Sequence, residues 1–420
     1  MQTKRPMITL SGVAGVVLLA TTLAGCGSVP TKEAGGAASE QPTAASSTSA
    51  SQGGNAPSKT PEPPTVELKP SVDKNATGVK VDTIVSVKAK DGTISGVKMW
   101  TKETDKQGET KTVKVAGTVN KDQTSWTAGS RLEPGSKYRL EMEGKNAANQ
   151  AVVTSKSSFT TEKLTLAEQT YPTIQPAKGS NVGVGMPVII NFDVPVKDRK
   201  NFEKHLSVSS TGNQVGSWRW YGNQSVHFRP KTYWKSGTKV KVKADLNSLD
   251  AGNGVYGQKS VSSSFSVGRS LVTRIDLKNH VAKVYRNGKK VRTIPVSAGK
   301  AGWQTRSGVK LIMAKELNKT MTNEMIGAKE DYSLTAAHAL RITNSGEFLH
   351  SAPWNTGNFG RVNASHGCVG MSNANAAWLY NNTKIGDPVV TTGTSRGLEQ
   401  GNGWSDWDIS YKQYKKGSAL

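Results

Sequence analysis

From about Val66 onward the chain falls into short runs in which apolar and polar residues alternate, punctuated by Gly, Asn and Asp. Val79 and Val81, Val113 and Val115, and the series Tyr138, Leu140, Met142 each follow a period of two. That is the periodicity of half-buried strands. The pattern then recurs. Gly135-Ser136-Lys137-Tyr138 leads a strand that is followed by Ser157-Ser158-Phe159-Thr160. Gly237-Thr238-Lys239-Val240 leads another that is followed by Ser263-Ser264-Phe265-Ser266. Phe159 and Phe265 stand 106 residues apart.

Two tandem units of ~100 residues, each with many short strands, predict immunoglobulin-like β-sandwiches over residues 65–163 and 164–268. Trp218, Trp220, Tyr221, Tyr233 and Trp234 cluster in the second unit and are read as core and interdomain packing rather than a glycan platform. His205 and His227 fit no ligand spacing and are read as structural. From Leu271 the texture changes. Two strands meet around Lys278-Asn279-His280, Asn287-Gly288 signals a hairpin, and further strands follow at Val291–Val296, Val309–Met313, Phe348–His350 and Val389–Val390. Helical signal is confined mainly to Asn373–Tyr380. A third, mostly β domain is therefore expected over residues 269–395, with an extension over 396–420. The fold class expected for the whole chain is mostly β.

Composition changes the picture at the N-terminus. Lys4 and Arg5 precede the uncharged stretch Met7–Gly25, a positive region followed by an apolar one. Leu23-Ala24-Gly25-Cys26 resembles a bacterial lipobox, which implies a signal peptide over residues 1–25 and a multiply acylated Cys26, since one acyl chain alone anchors weakly. Residues 26–64 read as a disordered linker: of the 38 residues 27–64, 29 are Gly, Ser, Thr, Pro or Ala, too few apolar groups to offset the entropy of ordering. The expected location is the outer face of the cell membrane, held by the lipid. The net charge of +24 is spread as +1 over residues 1–64, +5 over 65–163, +7 over 164–268 and +11 over 269–420. Such a field favours an anionic partner. Export makes anionic wall polymers the expected one and argues against nucleic acid.

Two cysteines, Cys26 and Cys368, stand alone in different kinds of sequence, which excludes a disulfide scaffold and a zinc ribbon. Cys368 follows a glycine, with His366 two residues before it and His350 further upstream. A thiol is a poor nucleophile until a nearby imidazole takes its proton. These residues alone leave three readings open: a catalytic thiol, a small buried hydrophobe, or a metal site.

The fuller pattern narrows them. His350-Ser351-Ala352-Pro353-Trp354, with Ser365-His366-Gly367-Cys368 beginning after 14 residues that intervene between His350 and Ser365, resembles the signature of L,D-transpeptidases with a YkuD-type catalytic domain. The order of lipobox, linker, two immunoglobulin-like units, catalytic domain and Trp-containing tail resembles actinobacterial members of that family. The resemblance implies Cys368 as nucleophile and His350 as the general base that forms an ion pair with it. Ser351 would orient His350 through its backbone carbonyl, and His366 would hold geometry at the rim. Backbone N–H groups around Gly367 and Cys368 would form the oxyanion hole. Tyr332, within the polar stretch 318–338, would be a lid aromatic over the substrate, with His338 on the lid's surface. Trp354, Gly370 and Asn373 would complete the substrate-binding set.

One position departs from the family pattern: Gly370 stands where Asn or Arg is usual, and Asn373 is the candidate to compensate. Trp404 and Trp407 would brace the catalytic domain against the second sandwich. The implied reaction joins a donor and an acceptor peptidoglycan stem peptide by a 3→3 crosslink through a cysteine acyl-enzyme, with no metal or organic cofactor and with carbapenems as acylating inhibitors. Two other functions remain on the sequence: a carboxypeptidase using the same site with water, and a non-catalytic wall-binding lipoprotein.

Overall fold

A computed structural model describes residues 64–420 except 105, 106, 328 and 330. The expected signal peptide, Cys26 and almost all of the linker lie outside the described residues. Among the described residues no helix is long and apolar enough to cross a membrane.

The first repeat is a pair of four-stranded sheets. One runs in the order Glu67–Pro70, Ser86–Lys90, Ser125–Ala128, Gly117–Val119; the other Thr110–Val115, Gly92–Thr104, Lys137–Asn146, Val152–Thr160. The alternation read from Tyr138, Leu140 and Met142 buries all three between the sheets, with Tyr138 stacked on Phe159 at 5.4 Å. Val79 and Val81 differ from the expectation. Val81 is buried, but the segment makes only an isolated bridge, Val79 to Thr161, because turns flank it on both sides.

The second repeat pairs the sheet Pro172–Gln175, Val188–Phe192, Ser225–Pro230, Gly216–Tyr221 with the sheet Asn181–Val182, Val261–Val267, Lys239–Ala244, Leu206–Ser210. Its core holds Trp218, Trp220, Phe228, Trp234 and Phe265, so these tryptophans are packing residues. The two histidines are structural as well. His205 Nδ1 lies 2.8 Å from Asn201 O and its Nε2 2.9 Å from Arg131 of the first repeat. His227 Nδ1 lies 3.0 Å from the buried carboxylate of Asp406.

The third region has a five-stranded sheet in the order Lys289–Pro295, Val281–Arg286, Leu271–Asp276, Pro388–Thr392, Gly308–Leu311. A four-stranded sheet runs Ala314–Thr322, Ser333–Arg341, Phe348–Ser351, Val369–Met371. The two enclose a core of Ile275, Val284, Ile294, Leu340, Leu349, Val369 and Met371, to which helix Asn373–Asn382 adds Ala376 and Leu379. Ser372 caps that helix by accepting from the Asn375 N–H. The polar stretch read as a lid is a long β-hairpin, Ala314–Thr322 paired with Ser333–Arg341. His338 lies not on its surface but half-buried against Tyr380 of the helix, ring centroids 5.6 Å apart.

The tail folds back onto the second sandwich. Trp407 Nε1 donates to Gly185 O at 2.7 Å, and the Arg229 guanidinium lies over the Trp407 and Tyr414 rings at 4.3 and 4.5 Å. Trp404 packs against the sandwich core, so both tail tryptophans hold the tail to the second sandwich.

Candidate active site

The parallel pairing of Phe348–Ser351 with Val369–Met371 builds the site. It places His350 opposite Gly370 and sets Cys368 at the entry of its strand. A cavity of about 400 Å³ opens here, lined among others by Cys368, His350, His366, Tyr332, Trp354 and Gly370. Six of the residues singled out from the sequence thus share one concave site.

His350 is buried, 5% exposed, and its Nδ1 lies 2.7 Å from the Ser351 carbonyl oxygen. A carbonyl only accepts, so Nδ1 carries the proton and Nε2 is the basic atom. Burial pushes the imidazole below its usual range, only partly opposed by the Ser351 carbonyl. Trp354 stacks on the ring at 6.0 Å. The role implied for Ser351 is therefore met by its backbone, while its hydroxyl donates to Asn373 Oδ1 at 2.7 Å. Asn373 is not among the residues lining the cavity; from the helix start it supports the strand behind His350.

Cys368 is half-buried, and its thiol donates to Gly346 O at 3.5 Å. Enclosure pushes the thiol up to about 12, against the Phe348 N–H aimed at it, with the Glu347 carboxylate adding to the rise. Both shifts favour the neutral thiol and the neutral imidazole over the ion pair implied from the sequence. The cause is desolvation of both groups, with no hydrogen bond between them to offset it.

Gly367 takes φ +126°, a conformation that an L side chain rarely adopts. Its N–H donates to Ser365 Oγ at 3.1 Å, and its carbonyl accepts from the buried Thr305 hydroxyl at 2.7 Å. The Gly367 N–H is therefore engaged locally, and the glycine shapes the turn rather than offering a free oxyanion donor. Ser365 Oγ in turn donates to Cys368 O at 2.6 Å, closing the loop around Cys368. His366 sits at the rim, stacked with Tyr332 at 5.4 Å and edge-on to Trp303 at 5.2 Å. Gly370 has no room for a side chain: a Cβ there would meet the Ala352 Cβ at 2.9 Å.

Behind the thiol lies a buried ionic cluster that sequence reading missed. Glu347 Oε1 accepts from the Arg306 N–H at 3.0 Å and Nη1 at 3.1 Å, and Oε2 accepts from Lys310 Nζ at 2.9 Å. A signal was present: Lys310 interrupts the apolar run Val309-Lys310-Leu311-Ile312, and Glu347 directly precedes Phe348-Leu349. Among the described residues no group of three His, Cys, Asp or Glu side chains is placed to hold a metal.

Comparison with known proteins follows the same outline. A model of the L,D-transpeptidase catalytic domain matches residues 272–391. A bacterial Ig domain model matches residues 76–250, one span that runs across both sandwiches. L,D-transpeptidase 2 of Mycobacterium tuberculosis is 32% identical over 358 residues, covering 84% of this chain and 85% of that protein. L,D-transpeptidase 5 of the same organism is 31% identical over 315 residues, covering 73% of this chain and 68% of its own. A solved structure of LD transpeptidase LdtMt1 in complex with imipenem is 34% identical and covers 52% of this chain and 97% of its own, with a TM-score of 0.47. The match to the catalytic domain, together with a relative aligned along most of both chains, makes this chain a member of the L,D-transpeptidase family.

Proposed function

We propose that the protein crosslinks peptidoglycan stem peptides by two-step acyl transfer on Cys368. The observation that carries this is the fixed tautomer of His350: Nδ1–H is held on the Ser351 carbonyl, which leaves Nε2 as the base in the cavity that Cys368 also lines. In the first step the Cys368 sulfur attacks the carbonyl of the third residue of a donor tetrapeptide. The thiol proton passes to His350 Nε2 and on to the leaving amine of the terminal D-Ala, so the C–N bond breaks as the C–S bond forms. In the second step the side-chain amine of an acceptor's third residue attacks the thioester. It gives its proton to His350, forms the 3→3 amide and releases the thiol. Because enclosure favours the neutral thiol, the proton moves to His350 as substrate enters.

The same reading carries the anchoring: a lipidated Cys26 would tether the catalytic domain to the outer membrane face, within reach of the wall. The basic surface would draw it toward anionic wall polymers.

Intact mass of the protein after exposure to a tetrapeptide-stem donor tests the chemistry. The expected result is a mass gain equal to the donor less D-Ala, lost again on adding acceptor. Cys368→Ala should show no gain with either donor or a carbapenem while keeping its fold. A labelled Cys368→Ala variant would refute the assignment of the nucleophile. Product that is trimmed and never joined would make the enzyme a carboxypeptidase.

A further inference from the structure

Glu347 lies between the two residues whose backbones touch the nucleophile. Gly346 O accepts the Cys368 thiol, and the Phe348 N–H points at its sulfur. The carboxylate is 3% exposed, and every partner it has is itself held. Oε1 takes the Arg306 N–H and guanidinium, which ties it to the segment whose preceding residue, Thr305, bonds Gly367 O beside the nucleophile. Oε2 takes Lys310, which is fully buried and also donates to Arg306 O at 2.5 Å. Arg306 reaches outward to Glu399 at 2.5 Å. One carboxylate thus joins the loop before the nucleophile strand, the strand that carries His350 and the central sheet. A buried charge in such a place is costly unless paired, and here it is paired twice.

We propose that Glu347 is a positioning residue: held by Arg306 and Lys310, it clamps the Gly346–Phe348 segment against Cys368 and sets the field in which the thiol gives up its proton. Among the described residues the other groups that face the thiol are Arg341, which lies on the neighbouring strand, and His350, His366, Asp331 and Tyr332, which line the same cavity. Among the described residues Glu347 bonds through its carboxylate to Arg306 and Lys310, so a change at Glu347 reads the clamp. The clamp rests on Cys368 being the nucleophile, yet alkylation reads the thiol itself whatever its substrate.

The test uses the full chain with three variants and two readouts: the pH profile of Cys368 alkylation, and single-turnover acylation by a carbapenem. Glu347→Gln removes the negative charge and should move the alkylation midpoint down by about one pH unit, a roughly tenfold gain at fixed pH. Lys310→Met removes a positive charge and should move it up by a similar amount. Merely loosening the site would move both variants the same way, toward a solvated thiol, so shifts of equal sign, or none, overturn the proposal. Glu347→Asp keeps the charge and withdraws it by one methylene. It should leave the midpoint at the parental value while acylation slows about 10- to 100-fold at unchanged half-saturation, as a misplaced reacting group does. If a charge variant fails to fold, Glu347→Asp decides alone, and a parental acylation rate overturns the clamp. Failure of the proposed chemistry would look different, since the parent itself would not be acylated.

Discussion

Gly370→Ala is the substitution whose cost follows most directly from the structure. An added Cβ would lie 2.9 Å from the Ala352 Cβ, 3.6 Å from Ser297 O and 3.8 Å from Phe359 Cε1. Only the first contact is too close, and both partners are buried on paired strands or at their ends. Over-packing of this kind costs about 1–3 kcal/mol. The strain is passed to the chemistry, because Gly370 pairs with His350 in the parallel register. A shift of a few tenths of an ångström at that pair should slow carbapenem acylation roughly tenfold, given that ~1 Å costs about a hundredfold. Gly370→Asn, the residue type usual in the family, needs more space and should be slower still.

Rescue makes the reasoning testable. Ala352→Gly removes the clashing atom, so the double variant should recover most of the rate, with a coupling of about 1–2 kcal/mol in the double-mutant cycle. The assay is mass-resolved acylation at several times, alongside thermal melts of the four proteins. A Gly370→Ala variant with parental stability and rate, or a double variant no better than the single, would refute the steric argument.

Other outcomes follow from single groups. His350 is held below its usual range, so the acid limb of the acylation rate should fall below pH 6.5, and a midpoint above it would mean an ion pair at rest. Asp387 is 2% exposed and raised to about 7 by burial, so above that pH the folded state holds a charge that the unfolded chain bears freely. Asp387→Asn should therefore stabilise at pH 8 by up to ~4 kcal/mol, an advantage that shrinks as pH falls through 7 and vanishes near pH 4; equal melting shifts at both ends would contradict it. Tyr414→Phe removes a buried hydroxyl bonded to His227 O at 3.1 Å and Asp406 at 3.0 Å. It should cost about 1–3 kcal/mol in denaturation while leaving acylation unchanged.

What the chain revealed in advance was whatever a local pattern encodes. Alternation along Tyr138, Leu140 and Met142 gave a strand and its buried face, and Asn287-Gly288 gave a hairpin whose two residues do take positive φ, 49° and 81°. The Ser365-His366-Gly367-Cys368 run with His350 upstream located the site, because that run leads into the strand Val369–Met371, whose pairing with the strand of His350 brings them together. What stayed hidden depends on distant partners. The hydrogen bond from Thr305 to Gly367 spans 62 residues, and that from Arg306 to Glu347 spans 41. The upward push on the Cys368 thiol is equally non-local, since it comes from enclosure rather than from neighbours in sequence. The bond from the Ser351 hydroxyl to Asn373 is hidden too, because proximity in sequence to Cys368 says nothing of which way the helix start faces.

The bonds that close the second sandwich impose an order on biosynthesis. Glu203 is buried there, and besides Trp220 its carboxylate is satisfied by the Ser418 hydroxyl and by the Ala419 N–H, 216 residues later. His227 likewise waits for Asp406. At roughly 5–20 residues per second, a ribosome needs on the order of 10–40 seconds to supply the missing donors. Throughout that interval the sandwich carries an under-satisfied acid in its core and the exposed face that the tail will cover. The nascent chain is therefore most vulnerable to proteolysis and misassociation late in synthesis, and a fusion appended after Leu420 would crowd the segment that ends this exposure.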